Sequence, residues 1–119
     1  MGRIPPVMDA RALSAAFKLV FRQGRSPPSC PSPDDNDLLN RIQDAVPSIS
    51  PAVCHEALVR VRRLSLDAAE IGSDFQTGQY GCGKSAQAAA LADLEGRNPG
   101  FLETEYCTAF LVGRMWAGL

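Results

Sequence analysis

Apolar positions recur at helical spacing along most of the chain. The clearest run is Ala57, Val61, Leu64, Ala68, Ile71 and Phe75, alternately four and three residues apart, with Val53 one turn earlier. Such a stripe predicts a long helix packed against neighbouring helices. Ser50 suits its N-cap and Pro51 its first position, with Glu56 a little later. Ser65-Leu66-Asp67 offers a second cap, and so a place where this helix breaks in two.

Four further runs follow the same rule. A first helix is expected from Val7 to Gln23, with Ala10, Leu13, Phe17 and Val20 on one face and Ala16 and Phe21 beside them. Asp9 suits its positive end, Arg22 and Arg25 its negative end, and Gly24 its stop. Asp34, Asp35, Asn36 and Asp37 mark the start of a second helix carried by Leu38, Leu39, Ile42 and Val46 and ended by Pro47. A fourth runs from Ser85 to about Glu95 on Ala86, Ala89, Ala90, Leu91 and Leu94, and its alanines suit close packing on a partner helix. Asn98-Pro99-Gly100 closes it. A fifth spans Leu102 to Ala117, with Leu102, Tyr106, Ala109, Gly113 and Trp116 on one face and Phe110 adjacent. No segment alternates with period two, and no internal repeat is found. The expected fold is an all-α bundle of four to five helices in one domain, residues 1–119. A Pro-rich connector (26–33) follows the first helix, and a Gly-rich loop (76–84) precedes the fourth.

Composition narrows the function classes. The chain has 119 residues, 12 basic against 13 acidic side chains, and 45% hydrophobic residues. A net charge of −1 supplies no global field for nucleic acid or anionic lipid. The charge is nevertheless uneven: Ala10 to Pro33 holds no acid, while Arg11, Lys18, Arg22 and Arg25 are basic. That resembles a transit peptide in composition, and an ordered amphipathic helix is the preferred reading. The first six residues lack the apolar core of a signal peptide, and Pro6 stands where a myristoylation site has Ser or Thr. Cys30, Cys54, Cys82 and Cys107 lie more than twenty residues apart, without the local pairing of metal sites. They read as reduced, mostly buried thiols of a cytoplasmic protein. No metal, cofactor or membrane span is expected. Ten arginines against two lysines, with abundant alanine, agree with a GC-rich coding source such as a bacterium or its phage.

One motif suggests chemistry. Gly78-Gln79-Tyr80-Gly81-Cys82-Gly83-Lys84-Ser85 matches the Walker A pattern, in which backbone amides cradle phosphate, Lys adds charge and Ser holds magnesium. A helix begins at Ser85, as that motif requires. The strand that should feed the loop is missing, because Asp67 to Phe75 reads as helix end and polar loop. No later apolar run ends in an acid. A phosphate- or nucleotide-responsive module using Gly78, Gly81, Gly83, Lys84 and Ser85 is therefore an alternative reading. A second alternative is a helix-turn-helix nucleic-acid binder, with Arg60, Arg62 and Arg63 on its second helix. The start of that helix, Ala52 to His55, is poor for base or phosphate contact. His55 is the only histidine, and adjacent Cys54 points about 100° away on a helix, so no catalytic set assembles.

The span Leu38 to Phe75 resembles, faintly, the three-helix ubiquitin-binding CUE domain. Ala45-Val46-Pro47 stands where that family has Met-Phe-Pro, and Asp67-Ala68-Ala69 lies near its third helix. The family's Met and Phe are absent, and Ile71-Gly72 replaces its di-leucine, so no residue role is carried over. The leading expectation is a small non-catalytic protein acting by protein–protein contact, as an inhibitor, immunity-type protein or adaptor. Its expected contact surface combines Gln76 to Lys84 with Arg97 to Phe101. Gln79, Tyr80, Arg97, Asn98 and Phe101 are the contact candidates, with Arg60, Arg62 and Arg63 as a second basic set.

Overall fold

The computed structural model describes residues 10–24 and 35–117. The Pro-rich connector, Cys30 and the expected caps Asp9, Arg25 and Asp34 lie outside the described residues. The fold is an all-helical bundle: α1 (Ala10–Phe17) with a π-helical continuation (Lys18–Gly24), α2 (Asp35–Ala45), α3 (Pro51–Gln76), α4 (Gly83–Arg97) and α5 (Glu103–Ala117). No strand occurs among the described residues.

The central element is α3, 26 residues long. Ser50 caps it by accepting the Val53 N–H at 3.3 Å, with Pro51 in the first turn. Ala57, Val61, Leu64, Ala68 and Ile71 are all fully buried. Cys54 and Leu58 are buried as well, because α1, α2, α4 and α5 all pack on this helix. The helix does not break at Ser65. That hydroxyl donates to the Arg62 carbonyl at 2.7 Å, a bond to the preceding turn that a mid-helix serine makes, so it caps nothing. The span Leu38 to Phe75 accordingly holds two helices, and the likeness to a three-helix domain does not extend to the fold.

The closest approach is between α3 and α5. A Cβ placed on Gly113 would lie 2.2 Å from the Ala68 carbonyl oxygen, and one on Gly72 would lie 2.6 Å from the Gly113 backbone. The two helices therefore touch backbone to backbone. Beside this contact, Phe110 meets Phe75 edge-on, ring centroids 5.3 Å apart, with the Arg114 guanidinium over the Phe75 ring.

Three expectations on the helices are corrected. The first helix is α-helical only to Phe17. Beyond it the chain continues as a π-helix, with bonds from residue i to i+5 and a wider turn. Across the junction Phe17 and Phe21 stack at 4.6 Å with both rings buried. In α4 only Ala86 and Ala90 of the alanines are buried, so Ala88, Ala89 and Ala92 contribute helix propensity, not close packing. Leu102 is exposed and stands just ahead of α5. Its N–H donates to Glu105 Oε1 at 2.8 Å, the reciprocal half of a capping box. The other oxygen of Glu105 accepts the Ser14 hydroxyl at 3.1 Å, fastening α1 to the start of α5.

Candidate functional site

The Gly78–Ser85 loop joins two helices. Gly78, Gly81 and Gly83 all take positive φ, and Gly81 closes a tight turn by donating to the Gly78 carbonyl at 3.0 Å. Lys84 and Ser85 are exposed in the first turn of α4. Cys82, at the N-cap, makes no side-chain capping bond, and no acid lies in that turn. The first amides of α4 are thus without a side-chain cap beside a lysine, which favours anions. The sheet edge that holds a P-loop in place is not part of this setting: the element feeding the loop is α3.

Tyr80, Arg97, Asn98 and Phe101 are brought together, in contacts within the fold. Tyr80 donates its hydroxyl to Asp93 Oδ2 at 2.6 Å. Arg97 grips the same carboxylate with Nε and Nη2, each at 3.2 Å, and reaches Glu70 on α3 at 3.4 Å. Asn98, buried after α4, donates to Asp67 at 2.8 Å and to the Leu94 carbonyl at 3.3 Å. Its own carbonyl accepts the Tyr106 hydroxyl at 2.6 Å, and that hydroxyl accepts the Phe101 N–H at 3.2 Å. The Phe101 ring packs edge-on against Tyr106. Gln79 is exposed.

This network shifts its ionisations. Burial and the bond to Asp93 push the Tyr80 hydroxyl up to about 12. The same bond from Tyr80, with Arg97, holds the Asp93 carboxyl below its ordinary range. A phenol whose folded pKa is raised stabilises the fold fully below its ordinary value of about 10, and that contribution fades as pH climbs towards about 12. Unfolding in denaturant should therefore show stability falling over this window. Tyr80→Phe should remove that part of the fall and cost about 1.5 kcal/mol near neutral pH. Equal pH profiles for both proteins would refute the assignment.

Arg60, Arg62 and Arg63 do not form one cationic face. Arg60 pairs with Glu56 at 3.2 Å, Arg63 lies 3.9 Å from Asp67, and Arg62 is half-buried. The solvent stripe of α3 runs His55, Val59, Arg63, Leu66 and Glu70, mixing charge signs with apolar side chains. His55 is exposed and Cys54 buried, so the two face apart. The Cys54 thiol donates to Gln43 Oε1 at 3.5 Å, and burial pushes its pKa up. Cys82 and Cys107 are exposed. Iodoacetamide at mildly alkaline pH should alkylate both within minutes and leave Cys54 intact until denaturant is added, read by peptide mass mapping. Equal labelling of Cys54 in the native protein would contradict its burial.

Two surfaces were not marked by the sequence. On α5, Thr104, Cys107, Leu111 and Met115 form an exposed stripe without charge, and Leu111 and Met115 are 56% and 59% exposed. Between α1 and the end of α2 lies an open groove of about 660 Å³, lined among others by Arg11, Lys18, Leu19, Arg41, Val46 and Pro47. Among the described residues no cluster of three or more His, Cys, Asp or Glu side chains is arranged to hold a metal ion. Nor is any of their helices long and apolar enough to cross a membrane. No protein family, characterised protein or solved structure shows a significant match to the chain.

Proposed function

We propose that this is a small non-catalytic binding protein that acts by contact with another protein, of the inhibitor, immunity or adaptor kind. The uncharged α5 stripe carries this reading. Leu111 and Met115 lie one turn apart, each more than half exposed, on a helix whose opposite side is the tightest contact in the bundle. Apolar side chains grouped on a rigid surface are a common mark of a partner site. Three free thiols among the described residues suit a reducing compartment such as the cytoplasm. The test is capture from a native lysate by the immobilised protein and by a Leu111→Asp/Met115→Asp variant whose circular dichroism is unchanged. A specific protein retained by the first and lost by the second supports the contact; identical capture by both refutes it.

The uncapped start of α4 beside Lys84 favours a second reading, a weak anion site at Gly78–Ser85. Its test is thermal unfolding with and without magnesium and ATP. A ligand at 100 times its dissociation constant adds roughly 2.7 kcal/mol. No shift in the midpoint at millimolar nucleotide excludes it.

A further inference from the structure

The α5 stripe is bordered by two charges that the bundle leaves without a counterion. Glu103 is exposed in the first turn of α5, and Arg114 is half-buried in the last. Among the described residues neither side chain forms a hydrogen bond or an ion pair. The Arg114 guanidinium is held 4.8 Å over the Phe75 ring and 5.7 Å from the centre of Phe110, and its Nε is buried without a partner. Ring contact fixes the place of this cation but does not neutralise it. Eleven residues separate it from Glu103, which is three helical turns to within about 20°. The two charges therefore stand on the same edge of the stripe, one at each end, about 16 Å apart along the axis.

Reversed end for end, this face is its own complement. Glu103 then comes level with Arg114, Thr104 with Met115, and Cys107 with Leu111, because the midpoint of each pair falls within half a residue of Ala109. We propose that α5 pairs antiparallel with α5 of a second copy of the chain, through this stripe. A twofold axis at the level of Ala109, lying between the helices and perpendicular to both, keeps like edges on the same side. Each Glu103 then meets Arg114 of the other copy, and the two ion pairs flank a centre of Cys107 and Leu111. A parallel pair puts the charged edges on opposite sides and makes neither ion pair. Charge thus selects both the occupant and its direction. One helix face buries far less than the roughly 1,600 Å² of a standard stable complex, so the dimer is weak and reversible. This pairing rests on the α5 contact proposed as the binding surface and names what covers it first; a foreign partner on the same stripe competes with it.

Sedimentation of the full chain under reducing conditions, from micromolar to millimolar protein, reads the association. A monomer–dimer equilibrium without larger species is expected, since a twofold contact closes on itself. Leu111→Asp should abolish it. Glu103→Arg alters both ion pairs at once and should weaken the dimer about tenfold. Arg114→Glu should do the same, and an equimolar mixture of these two variants should associate as tightly as the native chain, because every charged pair in the mixed dimer is again opposite. Should Arg114→Glu lose its fold with the ring contact, Glu103→Gln keeps the test: its dimer should be weaker and should no longer weaken further as salt is raised. A chain that stays monomeric at millimolar concentration, a Glu103→Arg dimer as tight as the native one, or a mixture no tighter than its components would each overturn the pairing. Monomer throughout, with a lysate protein still captured through Leu111 and Met115, defeats the pairing alone; loss of both defeats the α5 contact as well.

Discussion

Gly113→Ala is expected to destabilise the domain by about 3 kcal/mol or more, the upper end of what overpacking costs. The added methyl would sit 2.2 Å from the Ala68 carbonyl oxygen and 3.2 Å from the Ala68 methyl. The nearest obstacle is backbone inside a 26-residue helix, which cannot rotate away as a side chain can. Relief requires α5 to lift off α3, and that would open the contacts around Phe110, Phe75 and Tyr106 together. In a domain of this size the midpoint of thermal unfolding should fall by roughly 10 °C or more. Gly72→Ala meets the same crossing from the other helix and should behave alike. Gly96→Ala is the control, because its Cβ meets nothing within 4 Å and lies inside α4; there the change should be neutral or mildly stabilising. A Gly113→Ala protein with an unchanged midpoint would show that the two helices are farther apart.

Phe17→Ala should cost about 4 kcal/mol, the usual range for deleting a buried aromatic ring. Phe17 is 1% exposed. Its ring stacks on Phe21 at 4.6 Å and lies 6.4 Å from Phe101, so it joins α1 to the turn ahead of α5. Phe21 in turn stacks on Trp116 at 5.9 Å. Removal therefore empties the centre of an aromatic row that runs from one end of α5 to the other. Phe17→Leu should recover roughly half of the loss. Chemical denaturation followed by tryptophan fluorescence reads both the stability and the environment of Trp116, the only tryptophan. A cost below about 1 kcal/mol would mean that α1 adds little to the core.

Much of this architecture follows from local rules. The α3 stripe, the Ser50-Pro51 start and the Asn98-Pro99-Gly100 turn are set by neighbours within a few residues, and spacing reads them correctly. Errors arise where a distant partner decides. Chain spacing likewise does not show that Arg97 and Asn98 find Glu70 and Asp67, about thirty positions earlier on α3. Leu102 continues the periodicity of the fifth helix, but Glu105 reaches back to its amide and sets the helix start one residue later. The α1 π-turn has no local signal. Across its start Phe17 stacks on Phe21 within the assembled core. The groove escapes for the same reason, since Arg11 and Ser48 are 37 residues apart. Of the acid-free stretch, Arg11 and Lys18 line it.

The bond between Ser14 and Glu105 spans 91 residues. During synthesis at 5–20 residues per second, Ser14 is made roughly 5 to 18 s before its partner. Phe101, which meets the Phe17 ring, is made almost as late. A growing chain therefore carries α1 with part of its apolar face uncovered until nearly all of α4 and the following turn exist. In the finished bundle α1 rests on α3 and α2 as well, and α5, the last helix to be made, closes the bundle with its backbone against α3.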